Sequence, residues 1–132
     1  MSKGVLDLVG NTPIIKLRSV TPDRGAEVWL KYEAGNPTGS YKDRVAMSVL
    51  SSAISRHHVS PGDTIVEYTG GSTGSSLAFV SAALGLKFVA VFSDAFSYSK
   101  QLTMEAFGAE VVVEKSFGKG ITPELILSLI HI

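Results

Sequence analysis

One lysine of this chain lies where a predicted turn leads into a predicted helix. Residues 36–44 read Asn-Pro-Thr-Gly-Ser-Tyr-Lys-Asp-Arg, and the proline and glycine interrupt regular structure. Ser40, with Asp43 three residues later, is close to a capping box at a helix start. Lys42 is therefore predicted in the first helical turn, where the helix dipole opposes a positive charge and so favours the neutral, nucleophilic amine.

Taken alone, Lys42 also fits an ordinary solvated lysine, since most lysines are exposed. A second segment favours the chemical interpretation. Residues 67–74 read Glu-Tyr-Thr-Gly-Gly-Ser-Thr-Gly between a predicted strand and a predicted helix, the position at which open α/β sheets bind ligands. The hydroxyls of Thr69, Ser72 and Thr73, with the amides of the helix start, offer hydrogen-bond donors to a phosphate or a carboxylate.

The glycine spacing of this loop excludes two familiar nucleotide-binding motifs. No Gly-Lys-Ser/Thr follows, so the loop is not a Walker A motif, and the Gly-x-Gly-x-x-Gly dinucleotide spacing is not met. A tight turn packed by glycine, without a ligand, is the alternative interpretation of the loop.

Apolar periodicity and turn residues predict the elements around these two segments. Helices are predicted at residues 41–56, 72–84, 98–107 and from 122 onward, and strands at 64–67, 87–92 and 110–113. Ahead of them we predict a short helix or turn within residues 1–12, a strand at 14–17 and a half-buried strand at 27–33. The nearly continuous apolar run 87–92 is typical of a parallel strand buried on both faces.

The alternation of strands and helices from Thr64 onward predicts an α/β fold with a doubly wound parallel sheet. We assign residues 41–126 to this small α/β domain. The strands within residues 1–40 are not needed by that sheet, so this segment is predicted to belong to a larger neighbouring domain.

The last residues need a separate interpretation. Residues 127–132 read Leu-Ser-Leu-Ile-His-Ile, which is the translation of a transposon-end adapter used in sequencing libraries. We expect this tail to derive from the adapter rather than from the natural gene. A natural apolar helix end is the alternative.

Composition limits the partners of this chain. It has 132 residues, 12 basic and 12 acidic side chains and no cysteine. The balanced charge indicates neither a nucleic acid nor a membrane surface as partner. His57 and His58 are adjacent and would point in different directions on a helix, so we expect no metal site there. Without an apolar leader or a membrane-length apolar run, the chain is predicted to be cytoplasmic.

Four segments, taken in order, resemble the fold-type-II pyridoxal-phosphate enzymes of the cysteine synthase and cystathionine β-synthase group. They are Gly-Asn-Thr-Pro at residues 10–13, the lysine segment at 36–44, the loop at 69–74 and Phe-Gly-Ala-Glu-Val at 107–111. The resemblance implies a truncated tryptophan synthase β-like fold, and it implies that the chain is the N-terminal fragment of such an enzyme.

The resemblance also implies roles for particular residues. In that family, the lysine matching Lys42 forms an imine with pyridoxal phosphate and acts as the general base at Cα, and the residue matching Ser72 contacts the cofactor. The matching loop grips the α-carboxylate of the substrate, which here corresponds to Thr69, Gly70, Gly71, Ser72 and Thr73. The Gly-Asn-Thr-Pro segment is expected to be scaffold.

The activity implied is β-replacement on O-acetylserine or another activated serine, giving cysteine or a related amino acid. A small amino acid is the implied substrate, and a homodimer is the implied state of the full-length enzyme. The family's phosphate cradle and the partner of its pyridine nitrogen follow beyond residue 132. We therefore expect this polypeptide alone to bind pyridoxal phosphate poorly and to turn over no substrate.

The loop departs at two positions from the common family pattern, Thr-Ser-Gly-Asn-Thr-Gly. Gly70 replaces the serine, and Ser72 replaces the asparagine that contacts the ring hydroxyl of the cofactor. Cystathionine β-synthase, diaminopropionate-type synthase and serine or threonine dehydratase-like β-elimination therefore remain alternatives. Outside enzymes, the alternatives are a non-catalytic module that binds small anions and a NAD-type Rossmann domain, which the glycine spacing disfavours.

Overall fold

A computed structural model describes residues 4–19, 22 and 24–131, the last without its side chain. A short 3-10 helix, Val5–Leu8, comes first, and a second, Glu33–Gly35, precedes the lysine segment. The strands are β1 (Ile14–Lys16), β2 (Trp29–Lys31), β3 (Thr64–Tyr68), β4 (Lys87–Ser93) and β5 (Glu110–Glu114). The helices are α1 (Lys42–Ser55), α2 (Ser72–Leu84), α3 (Tyr98–Ala106) and α4 (Pro123–His131).

The last three strands form a parallel sheet in the order β3-β4-β5, with Val66 beside Val89 and Val91 beside Val112. Each strand is followed by a helix, which confirms the α/β fold and the parallel sheet predicted from the sequence. α2 packs between α1 and α3. α4 contacts β4 and β5.

Strand β4 carries the core because it lies between the other two parallel strands. Phe88, Ala90 and Phe92 pack in one cluster with buried residues of α1, α2 and α3. Val91 belongs to a second cluster with Leu125 and Leu129 of α4. Since successive side chains of a strand point to opposite faces, the two clusters lie on opposite sides of the sheet. This confirms the doubly wound arrangement and the predicted burial on both faces for residues 88–92, of which Val89 is partly buried, whereas Lys87 is exposed.

Helix α2 is the most deeply buried of the described helices, with every residue from Gly74 to Ser81 buried. Its first turn approaches α3 closely. A Cβ built on Gly74 would lie 2.5 Å from Met104 Sδ and 2.5 Å from Thr69 Cγ2. Only a residue without a side chain fits at this contact.

The N-terminal strands form a separate two-stranded antiparallel sheet, with Ile15 paired to Leu30. Every residue of β1 and β2 is exposed, so the prediction of a half-buried strand at 27–33 was wrong in both length and burial. A two-stranded sheet can bury one of its faces only by packing against another layer. The parallel sheet does not provide that layer, because its own helices already cover it. The predicted helix or turn within residues 1–12 is the 3-10 helix, and residues 1–3 lie outside the described part of the chain.

A polar network ties this N-terminal part to α1. The guanidinium of Arg44 donates from Nε to Glu33 Oε2 at 2.8 Å and from Nη2 to Glu33 Oε1 at 2.9 Å. Thr12 Oγ1 donates to Glu33 Oε1 at 2.6 Å, and Asn36 Nδ2 donates to Oε2 at 3.0 Å. The Gly10 amide closes the network by donating to Asn36 Oδ1 at 2.9 Å. These contacts support the scaffold role expected of the Gly-Asn-Thr-Pro segment.

Helix α4 begins as the sequence predicts, with Pro123 in its first position and the Leu125 amide donating to Thr122 Oγ1 at 3.2 Å. The helix continues through most of the predicted adapter tail. Leu129, 2% exposed, packs with Val91. The adapter origin of residues 127–132 concerns the gene rather than the fold and stays a prediction.

We predict that Gly74→Ala lowers the free energy of unfolding by about 1–3 kcal/mol, because the new methyl group overpacks the contact with Met104 and Thr69. A glycine-to-alanine change inside a helix otherwise stabilises by about 1 kcal/mol, so the sign of the effect is diagnostic. Gly71→Ala is the matched control. A Cβ built on Gly71 would have no atom within 4 Å, and φ is −175°. We therefore expect Gly71→Ala to change the free energy of unfolding, measured with urea, by no more than about 0.5 kcal/mol.

The Glu33 carboxylate predicts an acid-dependent loss of stability. The hydrogen bonds from Arg44, with that from Thr12 next, lower the pKa of Glu33 from 4.5 to about 2. A folded-state pKa below the unfolded value means that the stabilisation is complete above pH 4.5 and disappears as the pH falls through about 2. The urea midpoint of the wild type should therefore fall toward that of Glu33→Gln across this range. Glu110→Gln, which removes an exposed carboxylate, controls for the change in net charge. A difference in urea midpoint between wild type and Glu33→Gln that stays constant with pH would contradict the prediction.

Candidate functional site

The anion-binding loop predicted from the sequence lies at the carboxyl end of β3 and leads directly into α2. The amide of Thr69 donates to the Val91 carbonyl at 3.0 Å, which continues the strand pairing by one residue. The loop therefore begins from a fixed point on the sheet. Its position is the edge at which parallel α/β sheets bind ligands.

Lys42 is the first residue of α1, as predicted. Its side chain is half-buried, and its Nζ lies 5.0 Å from the centroid of the Tyr41 ring. Its backbone amide donates to Ser40 Oγ at 3.1 Å. Ser40 thus satisfies one of the free amides of the first turn, although it is not the residue at the capping position.

The predicted capping box at the start of α1 was wrong. Tyr41 holds the capping position with helical dihedral angles, φ −62° and ψ −13°, and no side chain caps it. Because the chain is already helical at Tyr41, the Asp43 side chain faces residues further back than Ser40. Its carboxylate accepts hydrogen bonds from the Thr38 amide at 2.8 Å and from Thr38 Oγ1 at 2.5 Å.

Asp43 is entirely buried at 0% exposure, and a buried carboxylate is stable only when it is hydrogen-bonded. Thr38 meets this requirement and also reaches the next helix, since its Oγ1 lies 3.2 Å from Ser76 Oγ in α2. We call Thr38, Asp43 and Ser76 the turn clamp. It brings the lysine turn and the helix of the anion-binding loop together.

Sequence reasoning missed the turn clamp. The one signal was a cluster of serines, Ser75, Ser76 and Ser81, within an otherwise apolar helix. A serine inside a core indicates a polar contact, but the contact that Ser76 makes joins it to a residue far away in the sequence. Thr38 and Ser76 are separated by 38 positions.

The start of α2 offers free hydrogen-bond donors. No side chain caps it, and the capping position is held by Gly71, whose carbonyl accepts the Ser75 amide at 3.3 Å. The preceding amides of a helix have no intrahelical partner. Thr69 Oγ1 is fully buried and has no hydrogen-bond partner among the described residues.

This donor set fits a small anion such as a carboxylate. Thr69 Oγ1, Ser75 Oγ and Ser81 Oγ are buried without a partner among the described residues, and Thr69 is the one that lies in the loop. Uncapped amides at a helix start favour an anion. The side chains of Ser72 and Thr73 are half-buried beside them. The structure therefore places the predicted loop residues, 69–73, in one turn with free donors, and an amine for a carbonyl cofactor is available at Lys42.

A cavity of about 410 Å³ lies at the opposite edge of the sheet, between the strand starts and the ends of α2 and α3. Its lining includes Thr64, Lys87 and Glu110. None of the residues predicted for catalysis or binding lines it. None of the buried hydroxyls without a partner belongs to its lining, so the loop after β3 remains the candidate site.

Within the described part of the chain, no group of three or more His, Cys, Asp or Glu side chains is placed to hold a metal ion. No helix of the described residues is long and apolar enough to cross a membrane.

Comparison with known proteins gives consistent results. The family model described as pyridoxal-phosphate dependent enzyme matches residues 5–122. Cysteine synthase B of Escherichia coli is 43% identical over 105 residues, which are 80% of this chain and 35% of that protein. O-ureido-L-serine synthase of Streptomyces lavendulae is 43% identical over 109 residues, 83% of this chain and 33% of that protein.

The structural comparison agrees. The crystal structure of an O-ureido-L-serine synthase superposes with a TM-score of 0.87 at 37% identity, covering 99% of this chain and 40% of that one. The chain thus spans about a third of the length of the curated relatives it matches. The family model matches most of the sequence, and the superposed crystal structure has the same fold as this chain. The chain therefore belongs to the pyridoxal-phosphate-dependent enzyme family.

Proposed function

We propose that the protein carrying this chain performs β-replacement on O-acetylserine or another activated serine, forming cysteine or a related amino acid. The observation that carries the proposal is the orphaned Thr69 hydroxyl beside the uncapped start of α2, with the lysine turn held against the same helix. The names of the relatives, cysteine synthase B and O-ureido-L-serine synthase, support the reaction class.

Pyridoxal phosphate, when bound, supplies the electron sink for chemistry at the α-carbon of an amino acid. Lys42 is the residue proposed to hold it, through Nζ, and Ser72 is the proposed contact to its ring. Once its amine is free, Lys42 Nζ takes the Cα proton of the substrate as general base and later returns a proton to Cα. Its half-buried position at the first residue of α1 suits a group that must face a bound ligand.

The loop supplies orientation. Its backbone amides and the hydroxyls of Thr69, Ser72 and Thr73 are proposed to bind the α-carboxylate, so that the Cα–H bond is directed toward the lysine. The buried Thr69 Oγ1 would donate to a carboxylate oxygen, which provides the partner that the described residues do not offer. Gly70 and Gly71 allow the carboxylate to approach the backbone closely.

The remaining proposals rest on the sequence. Residues 1–40 are assigned to a larger domain of the full-length protein and residues 41–126 to the small α/β domain. The full-length protein is proposed to act as a cytoplasmic homodimer on a small amino acid. The 12 basic and 12 acidic residues of the 132-residue chain support the expectation that neither nucleic acid nor a membrane is a partner.

We predict that Lys42→Ala abolishes covalent capture of the cofactor. After borohydride reduction of the full-length wild type, peptide mass spectrometry should find the cofactor on Lys42, and the variant should lose both the label and β-replacement by about 10³-fold or more. Lys87→Ala, at the opposite edge of the sheet, is the control and should keep both. A wild type without the label would support the anion-binding module instead.

The same preparation separates the two reaction types. Sulfide-dependent formation of cysteine from O-acetylserine supports β-replacement. Release of pyruvate and ammonia at a rate independent of sulfide would support β-elimination and contradict the proposal.

For Thr69→Val we predict an effect on binding without a loss of stability. The hydroxyl has no hydrogen-bond partner to lose in the part of the chain that the structure describes. A hydrogen bond to a charged carboxylate is worth about 1.5–3 kcal/mol, so KM for O-acetylserine should rise about 10- to 100-fold. Ser81→Ala is the matched control because Ser81 Oγ is also buried without a partner but lies further along α2. An unchanged KM in Thr69→Val, or an equal rise in Ser81→Ala, would refute the carboxylate role of Thr69.

A further inference from the structure

We infer that Phe96 is a positioning residue for the anion-binding loop, and that its ring and Gly70 form a size-matched pair that sets where the loop amides lie. The inference rests on the proposed function, since it concerns the same carboxylate site. Three features support it: the anchoring of the ring, its contact with Gly70 and the backbone hydrogen bonds of the loop, which lie at its two ends.

Phe96 is anchored in the connection between β4 and α3. Its amide donates to the Ser93 carbonyl at 3.0 Å, and the Ala95 amide donates to Ser93 Oγ at 3.2 Å. Ser93 itself is 0% exposed. The backbone that carries the ring is therefore fixed to the carboxyl end of the central strand.

The ring is also held by other aromatic side chains. Its centroid lies 5.4 Å from that of Phe92, at an interplanar angle of 59°, and 6.3 Å from that of Tyr68. Phe92 is 1% exposed and belongs to the main core. These distances are those of tilted aromatic pairs, so the ring connects the core to the loop and has little freedom to move.

On its other side the ring lies directly against the backbone of Gly70. A Cβ built there would be 2.8 Å from Phe96 Cε1 and Cζ and 3.0 Å from Cδ1. Contacts that close do not occur between real side-chain carbons, so any larger residue must displace either the loop or the ring. The ring thus takes the space that a side chain at position 70 would need.

This contact matters because the backbone hydrogen bonds that the loop makes with the described residues lie at its two ends. The Thr69 amide bonds Val91 at its start, and the Gly71 carbonyl accepts the Ser75 amide at its end. Between these two hydrogen bonds, the backbone of Gly70 contacts the ring of Phe96. The distance from the ring to Gly70 therefore sets the position of the following amides, which are the donors proposed for the carboxylate.

The test is a double-mutant cycle in the full-length protein with Gly70→Ala, Phe96→Leu and both together. The primary measurement is the dissociation constant of L-alanine by calorimetry, because L-alanine has the α-carboxylate but no leaving group at Cβ. We expect each single variant to weaken binding about 10-fold and the double variant to return to within about threefold of wild type, since contacting residues couple. KM for O-acetylserine should follow the same pattern with kcat changed less.

Phe107→Leu controls for the loss of a ring elsewhere, since Phe107 packs on Phe79 at the opposite edge of the sheet. It should lower the unfolding free energy without altering L-alanine binding. If Gly70→Ala fails to fold, the other two variants still test the inference. It requires Phe96→Leu to bind L-alanine more weakly than the wild type and the double variant to recover that binding.

Two results would overturn the inference alone: single variants that bind L-alanine as the wild type does, or a double variant no better than the worse single one. A wild type that binds no L-alanine and carries no cofactor on Lys42 would overturn the proposed function, and the role of Phe96 with it. The two failures are therefore distinguishable.

Discussion

The buried carboxylate of Asp43 is the constraint on which the lysine turn depends. A charge with 0% exposure must be hydrogen-bonded, and both of its observed bonds come from Thr38. They close the turn ahead of α1 and fix Lys42 as the first helical residue. Thr38 also contacts Ser76, so the same interaction that satisfies the carboxylate orients the turn toward α2.

Helix α2 then joins the core to the candidate site. Its body is buried between α1 and α3 and over the central strand, whereas its first turn offers uncapped amides beside the orphaned hydroxyl of Thr69. A helix so firmly packed cannot shift to satisfy those groups. The donors stay available to a ligand, which is the kind of preorganisation that binding and orientation of a substrate require.

The two parts of the chain differ in how they are stabilised. The parallel sheet buries β4 in two apolar clusters, whereas the β1–β2 pair is exposed throughout and is linked to α1 through Glu33, Arg44 and Asn36. The chain spans about a third of its curated relatives. The assignment of residues 1–40 to a larger domain accounts for the exposed apolar side chains of this pair, and it stays a proposal.

Local signals in the sequence by themselves determined the elements and the candidate residues. Periodicity and turn residues placed α2 at 72–84, Lys42 in a first helical turn, and a strand buried on both faces at 87–92. They could not predict that Asp43 bonds Thr38 instead of Ser40, that Thr38 meets Ser76, or that Phe96 occupies the space beside Gly70. The last two contacts join segments far apart in the chain, and only the packing of helices on the sheet brings them together. The Asp43–Thr38 bond spans five residues and follows from the helical conformation of Tyr41. The tertiary structure therefore decided how the lysine turn and the loop are held, because hydrogen-bond satisfaction of buried groups depends on neighbours that no local pattern specifies.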